Sequence, residues 1–267
     1  MLTKVRRYIG QAMADYLTKT IDNYSSFSSH ESPRLADYLR PGDILLVEGD
    51  TRISNVIKYL TQSTWSHAAF YAGDLTARFT DSGEPCPLIE AELGHGVIAS
   101  PLSRYQKLNT RICRPIGLSE GDRKLLVHRM VSAMGKEYDL QHIFDLARYL
   151  LPTPPIPTRF RRRMIALGSG DPSRAICSTL IAQSYQSIHY PILPTIKVSS
   201  TYSKDWYIEQ EILHIRHHSL FTPRDFDVSP FFRVVKPTIE AGFDYRRLDL
   251  RSANDGIDTE TSESVSE

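Results

Sequence analysis

The spacing of apolar and polar residues along this 267-residue chain predicts a mixture of short strands and amphipathic helices. Continuous or alternating apolar runs predict strands at residues 44–47, 65–71, 88–93, 97–99, 110–115 and 231–235. Apolar residues three and four apart predict helices at residues 53–60, 119–135, 139–151 and 173–188. Residues 42–115 are therefore expected to form a small, curled and mostly antiparallel sheet.

The helix predicted over residues 173–188 carries a thiol near its first turn. Its predicted core-facing residues are Cys177, Leu180, Ile181, Ser184 and Ile188. A thiol in this position lies near unpaired N–H groups and the positive end of the helix dipole, which favour the thiolate. The helix alone favours a buried structural cysteine, because free cysteine is among the most buried residues. A nucleophile would need partners elsewhere in the chain.

Two neighbouring strands supply such partners. His67 lies among small and apolar residues early in its strand and shares a face with Tyr71. The next strand carries Glu90 and Glu92 on one face, and alternation cannot separate the two. Side chains on the same face of adjacent strands lie within reach, so a histidine–glutamate pair is compatible with the pattern. The strand alone fits a satisfied core histidine equally well.

Composition excludes several classes of protein. Apolar residues make up 41% of the chain, charged residues 24%, and the net charge of +1 gives no reason to expect nucleic acid as a partner. The three cysteines are widely spaced, which indicates a reducing compartment rather than a disulfide framework or a zinc cluster. We expect no metal and no cofactor, and interpret His214, His217 and His218 as a surface cluster. No apolar run approaches the length of a membrane-spanning helix.

The chain divides into three parts. Residues 1–36 are expected to form an N-terminal amphipathic helix and a linker, residues 37–248 one domain, and residues 249–267 a disordered acidic tail. A proline- and arginine-rich insert interrupts the domain at residues 152–172. The expected location is cytoplasmic. The alternative for the first helix is an interfacial position, which would bring the protein to the periphery of a membrane.

Cys177, His67 and Glu90 supply the three groups that thiol hydrolysis needs: a nucleophile, a base and a group that orients the base. The thiolate would attack a carbonyl beside backbone N–H groups at the helix start, and His67 would protonate the leaving group. Glu92 is the alternative orienting residue. The residues expected to bind substrate are Tyr71, Ser66 and Ser178.

Four short motifs carry a family resemblance. In chain order they are PGDILLVEG, TQSTWSHAAFYAG, LIEAE and ICSTLIAQSY. Together they resemble the circularly permuted papain-like amidases of the YiiX/YaeF type, within the larger NlpC-like cysteine hydrolase group. In the ordinary papain arrangement the cysteine helix precedes the histidine strand, whereas here His67 and Glu90 precede Cys177. The resemblance covers about residues 37–190, and TPRDFDVSPFFRVVKP resembles a C-terminal segment of the bacterial lipo-like members.

The resemblance implies an α+β papain-like fold, with a central antiparallel sheet packed against the cysteine-bearing helix. His67 matches the family's serine-histidine strand motif, Cys177 its helix-start cysteine, and Glu90 the glutamate of its Glu-Ala pair. Relatives often carry an acid after the cysteine, where this chain has Ser178 and Thr179, a departure that bears on substrate preference.

The function expected from these features is a cysteine hydrolase that cleaves an amide bond through an acyl-enzyme. Its substrate would be a peptide, cell-wall material or a lipid-derived acyl compound. One alternative is a lipid-directed acyl hydrolase or acyltransferase, which the N-terminal helix and the arginine-rich insert would favour. The other is a non-catalytic module that binds lipid or peptide.

Overall fold

A computed structural model describes residues 16–20, 35–92, 94–136, 176–203, 206–214, 216–240 and 242. The helix predicted at residues 139–151, the insert at residues 152–172 and the acidic tail at residues 249–267 lie outside the described residues. So does the N-terminal amphipathic segment, apart from residues 16–20.

The central element is a six-stranded antiparallel sheet. Its strands are β1 (Ile44–Val47), β2 (His67–Tyr71), β3 (Leu88–Glu92), β4 (Gly96–Ser100), β5 (Thr110–Pro115) and β8 (Phe232–Val235). Their order across the sheet is β4-β3-β2-β1-β5-β8. A separate two-stranded antiparallel sheet contains β6 (Thr195–Ser203) and β7 (Trp206–His214). The prediction missed this second sheet.

Short and medium helices connect the strands. They are α1 (Leu35–Tyr38), α2 (Arg52–Thr61), α3 (Glu120–Ala133), α4 (Ile176–Gln186), α5 (Pro223–Asp227) and α6 (Pro237–Glu240). Single 3-10 turns lie at Gly73–Thr76, Leu102–Tyr105 and His218–Leu220. The predicted Ser-x-x-acid start of α3 is confirmed, because the Ser119 hydroxyl accepts a hydrogen bond from the Asp122 N–H at 3.1 Å.

The two faces of the large sheet bury different clusters. One face packs against α3 and α4, and the buried residues of α4 on this side include Leu180, Ile181 and Tyr185. The opposite face carries a smaller cluster that contains Leu88, Ala69 and Tyr105. Burying one large aliphatic side chain stabilises a fold by about 1.5–3 kcal/mol, so the contact between α4 and the sheet holds the helix firmly.

The predicted core-facing residues of the cysteine helix are confirmed. Cys177, Leu180, Ile181 and Ser184 are all buried, and Ile188 packs against the same cluster. The expected α+β class is confirmed by one antiparallel sheet with helices packed on its face. Within the described residues, no helix has both the length and the apolar character needed to cross a membrane.

Candidate active site

The N-terminus of α4 meets the beginning of β2. Cys177 is the second residue of α4, and its thiol accepts a hydrogen bond from the backbone N–H of Ala68. The first four N–H groups of an α-helix have no partner within the helix, so the thiol lies beside donors that the helix itself does not use. Because α4 packs on the face of β2 that carries Ala68 and Phe70, the Cys177 thiol is held next to the backbone of Ala68.

His67 links Cys177 to Glu90. The imidazole hydrogen-bonds to the Cys177 thiol, and its Nε2 forms a short hydrogen bond with Glu90 Oε2. Because Nε2 is used by Glu90, the ring nitrogen left for the thiol is Nδ1. The His67 side chain is 24% exposed and that of Glu90 only 2%. Solvent and a bound molecule can therefore reach the imidazole, whereas the carboxylate is enclosed.

The three groups change one another's pKa. Burial alone would raise the pKa of Cys177, but the charge and hydrogen bond of His67 outweigh burial and lower it. Burial would lower the pKa of His67, yet Cys177 and then Glu90 raise it to about 10. Burial would raise the pKa of Glu90, but His67 first and then Arg104 bring it to about 2. These shifts favour a thiolate and imidazolium pair over the neutral thiol and imidazole, beside a Glu90 carboxylate that is ionised at neutral pH.

Glu90 has further partners that the sequence did not indicate. The Tyr105 hydroxyl donates to Oε2, Arg104 Nη1 donates to Oε1 at 3.3 Å, and Ser100 also hydrogen-bonds to the carboxylate. Tyr105 and Arg104 belong to the 3-10 turn after β4, where no periodic pattern or motif marks them. These contacts are visible only once the chain is folded.

Glu92, the alternative orienting residue, contacts Arg104 and His95. Its carboxylate accepts a hydrogen bond from Arg104 Nη2 and lies 3.7 Å from Nδ1 of His95. It stands two residues beyond Glu90 on the same strand, and its side chain is partly exposed. Of the two glutamates, the structure brings Glu90 to His67.

The three predicted substrate-binding residues occupy different positions. Ser66 is buried, and its hydroxyl accepts from the Gly49 N–H at 2.9 Å, so it fixes the backbone before α2. Ser178 is fully buried with its Oγ 3.9 Å from Cys177 Sγ. Tyr71 ends β2 four residues after His67, about 13 Å away along an extended strand. The structure therefore brings only Ser178 into contact with the thiol.

The other two cysteines have unreactive surroundings. Cys86 and Cys113 are buried free thiols. Burial raises the pKa of Cys113 to about 12, with Asp227 adding to the effect. The pKa of Cys86 is also raised, by burial and by Glu84. Because the thiolate is the nucleophilic form, Cys177 is the one expected to react near neutral pH.

Among the residues that the structure describes, no group of three or more histidine, cysteine, aspartate or glutamate side chains is arranged to hold a metal ion. The chemistry available at Cys177, His67 and Glu90 is nucleophilic attack with proton transfer.

Comparisons with known proteins find distant similarity to solved structures. No protein-family model and no curated protein sequence matches the chain. The crystal structure of the metalloprotein YiiX from Escherichia coli O157:H7 is similar over 74% of this chain and 96% of that chain, with 16% sequence identity and a TM-score of 0.42. At this similarity, neither an activity nor a metal site is carried over from YiiX to this chain.

Proposed function

We propose that this chain is a thiol-dependent hydrolase of the amidase or peptidase type, with Cys177 as nucleophile, His67 as acid and base, and Glu90 as the residue that orients His67. The observation that carries the proposal is the hydrogen-bonded series from the Cys177 thiol through the imidazole to the Glu90 carboxylate. A buried structural cysteine has no need of a charged imidazole whose other nitrogen is fixed by an enclosed carboxylate.

The first half of the reaction follows from the charge states. The Cys177 thiolate attacks the carbonyl carbon of an amide, and the electron pair of the C=O bond moves to oxygen. Unpaired N–H groups at the start of α4 are available to stabilise this oxyanion. The His67 imidazolium then gives its Nδ1 proton to the leaving nitrogen, the C–N bond breaks, and an amine departs. The acyl group stays on sulfur as a thioester.

The second half returns the thiol to its starting state. Neutral His67 takes a proton from water, whose oxygen attacks the thioester carbonyl. The C–S bond breaks, and the thiolate and the imidazolium are restored as the acid leaves. Glu90 remains ionised throughout because its pKa lies near 2. It keeps Nε2 protonated and the ring oriented, so that Nδ1 faces the sulfur.

The order of these groups along the chain supports a circularly permuted papain-like arrangement as part of the proposal. His67 and Glu90 lie on adjacent antiparallel strands that precede the cysteine helix in sequence. The proposed substrate is a peptide or cell-wall amide. A lipid-derived ester and simple binding without turnover are alternatives that the following experiments separate.

Selective labelling tests the nucleophile. The full-length protein is treated with iodoacetamide at pH 6 and the label is mapped by peptide mass spectrometry. We expect Cys177 to react well before Cys86 and Cys113, because only its pKa is lowered. Earlier labelling of Cys86 or Cys113 would refute the assignment.

Turnover separates the three functions. Wild type and Cys177→Ala are compared on a fluorogenic peptide-amide library, muropeptides and phospholipid vesicles. Amide cleavage that the variant lacks supports the proposal. Ester cleavage alone would reassign the enzyme to lipid substrates. Binding of any of these compounds that is equal in wild type and variant, with no product from either, would favour a binding module.

A further inference from the structure

The hydroxyl of Tyr105 reaches the same carboxylate oxygen as the catalytic imidazole. Tyr105 Oη and His67 Nε2 both contact Glu90 Oε2, while Arg104 holds Oε1 at 3.3 Å. Tyr105 is 6% exposed, and its ring centroid lies 6.0 Å from that of His67. The tyrosine and the imidazole thus share one oxygen of a buried carboxylate.

The turn that carries Tyr105 is itself anchored. The carboxylate of Glu84 accepts two hydrogen bonds from Ser103, one from the backbone N–H at 3.3 Å and one from the hydroxyl at 2.7 Å. The Tyr105 ring packs in the smaller cluster with Leu88 and Ala69. These contacts hold the 3-10 turn against the sheet independently of the hydroxyl, so the Tyr105–Glu90 bond can be removed without removing the packing.

We propose that Tyr105 is a positioning residue of the active site: its hydroxyl fixes the Glu90 carboxylate in the orientation that holds His67 against Cys177. The inference rests on the proposed function. The donors around the enclosed carboxylate are His67 from β2, Tyr105 and Arg104 from the turn, and Ser100 from β4.

Chemistry favours this role over a proton-transferring one. Burial raises the pKa of Tyr105 well above its ordinary value, and the Glu90 charge adds to the effect, so the phenol stays protonated and donates to the carboxylate. Without the hydroxyl, the carboxylate loses one donor and is free to turn toward Arg104. The imidazolium then loses part of its anchor, and the thiolate that it stabilises becomes easier to protonate.

The test is the pH dependence of iodoacetamide alkylation at Cys177 in full-length wild type, Tyr105→Phe and Tyr190→Phe. Tyr190→Phe is the matched control, because its hydroxyl donates to the Ile116 and Phe231 carbonyls at 2.8 and 2.7 Å, away from Glu90. Both variants keep an aromatic ring. Urea unfolding of each reports stability separately.

For Tyr105→Phe we expect the acid limb, the part of the rate–pH profile where alkylation slows as pH falls, to move to higher pH. At a given acidic pH, Cys177 should then be alkylated about tenfold more slowly, as loss of one hydrogen bond to a charged group implies. Tyr190→Phe should change stability and leave the profile in place. An acid limb in Tyr105→Phe that coincides with wild type or moves to lower pH would overturn the inference, whatever the stability.

The same experiment distinguishes this inference from the function on which it rests. A wild-type Cys177 that alkylates only as an ordinary thiol would defeat the proposed nucleophile. If wild-type Cys177 is alkylated at lower pH than an ordinary thiol and Tyr105→Phe has the same profile, the nucleophile assignment is supported and the role of Tyr105 is refuted. If Tyr105→Phe does not fold, Tyr105→Leu supplies the second variant, because it also lacks the hydroxyl and keeps an apolar side chain in the cluster with Leu88 and Ala69. It should shift the limb in the same direction, and no shift would overturn the inference.

Discussion

Cys177 and Glu90, the two anionic partners of His67, each raise its pKa, and the two contributions can be measured separately. Burial lowers it, and Cys177 and Glu90 together raise it from 6.5 to about 10. A thermodynamic cycle of Cys177→Ala, Glu90→Gln and the double variant removes the partners one at a time. Each replacement is close in size to the native side chain, so the position of the imidazole is retained.

The expected magnitudes follow from the two hydrogen bonds. A hydrogen bond to a charged group contributes about 1.5–3 kcal/mol, and one pKa unit corresponds to about 1.4 kcal/mol. The two partners raise the pKa from 6.5 to about 10 and also offset burial, so each single variant should lower it by roughly two units, the upper end of this range. In the double variant only burial and the nearby Arg104 cation remain, and both disfavour the imidazolium, so the pKa should fall below 6.5.

The assay is a proton–carbon NMR titration of the histidine imidazoles. The chain has nine histidines, and the His67 signal is assigned by its absence from the spectrum of His67→Gln. An unchanged pKa in Glu90→Gln would refute the claim that the carboxylate stabilises the imidazolium. A double variant that still titrates above 6.5 would show that a group other than Cys177 and Glu90 raises the pKa.

Three further outcomes test the framework around the site. Asp43→Asn should destabilise the fold by about 3–5 kcal/mol in urea unfolding, because it leaves Arg114, paired at 2.7 Å, without its buried counter-charge; a change below 1 kcal/mol would contradict this. Gly49→Ala should cost about 1–3 kcal/mol, since the added Cβ would lie 2.3 Å from Ser54 Oγ, and wild-type stability would refute that crowding. The folded pKa of Glu90 lies near 2 against an ordinary 4.5, so its stabilisation is full above pH 4.5 and is lost as pH falls toward 2. Acid unfolding should therefore depend less on pH in this window for Glu90→Gln, and equal slopes would contradict the low pKa.

Local patterns were sufficient for the main sheet. The bounds of β1 and β5 agree with the prediction at both ends. β1 is a compact apolar run, and β5 has Ile112 and Cys113 at its centre. The helix with Cys177 was predicted from the spacing of residues such as Leu180 and Ile181. Such signals act over a few residues and need no knowledge of distant contacts.

The second sheet shows where the same signal was present but was missed. Ile196 and Val198 alternate with Lys197 and Ser199 in β6, which is a strand pattern. Alternation over residues 195–203 therefore predicts the strand.

The surroundings of Glu90 could not be predicted in the same way. Glu90 and Glu92 have identical parity along β3, so only the folded geometry shows which of them meets His67. Tyr105 follows Glu90 by 15 residues in a turn without periodicity. Contacts of this kind depend on how a turn docks on the sheet, and no pattern local to Tyr105 encodes that.

Trapping the acyl-enzyme tests the central claim most directly. The full-length protein is mixed with p-nitrophenyl acetate, quenched in acid and digested for mass spectrometry. We expect an acetyl group on Cys177 that disappears with time in water, and no such group in Cys177→Ala. Acetylation confined to Cys86, Cys113 or lysines, or ester turnover that persists undiminished in Cys177→Ala, would contradict the account.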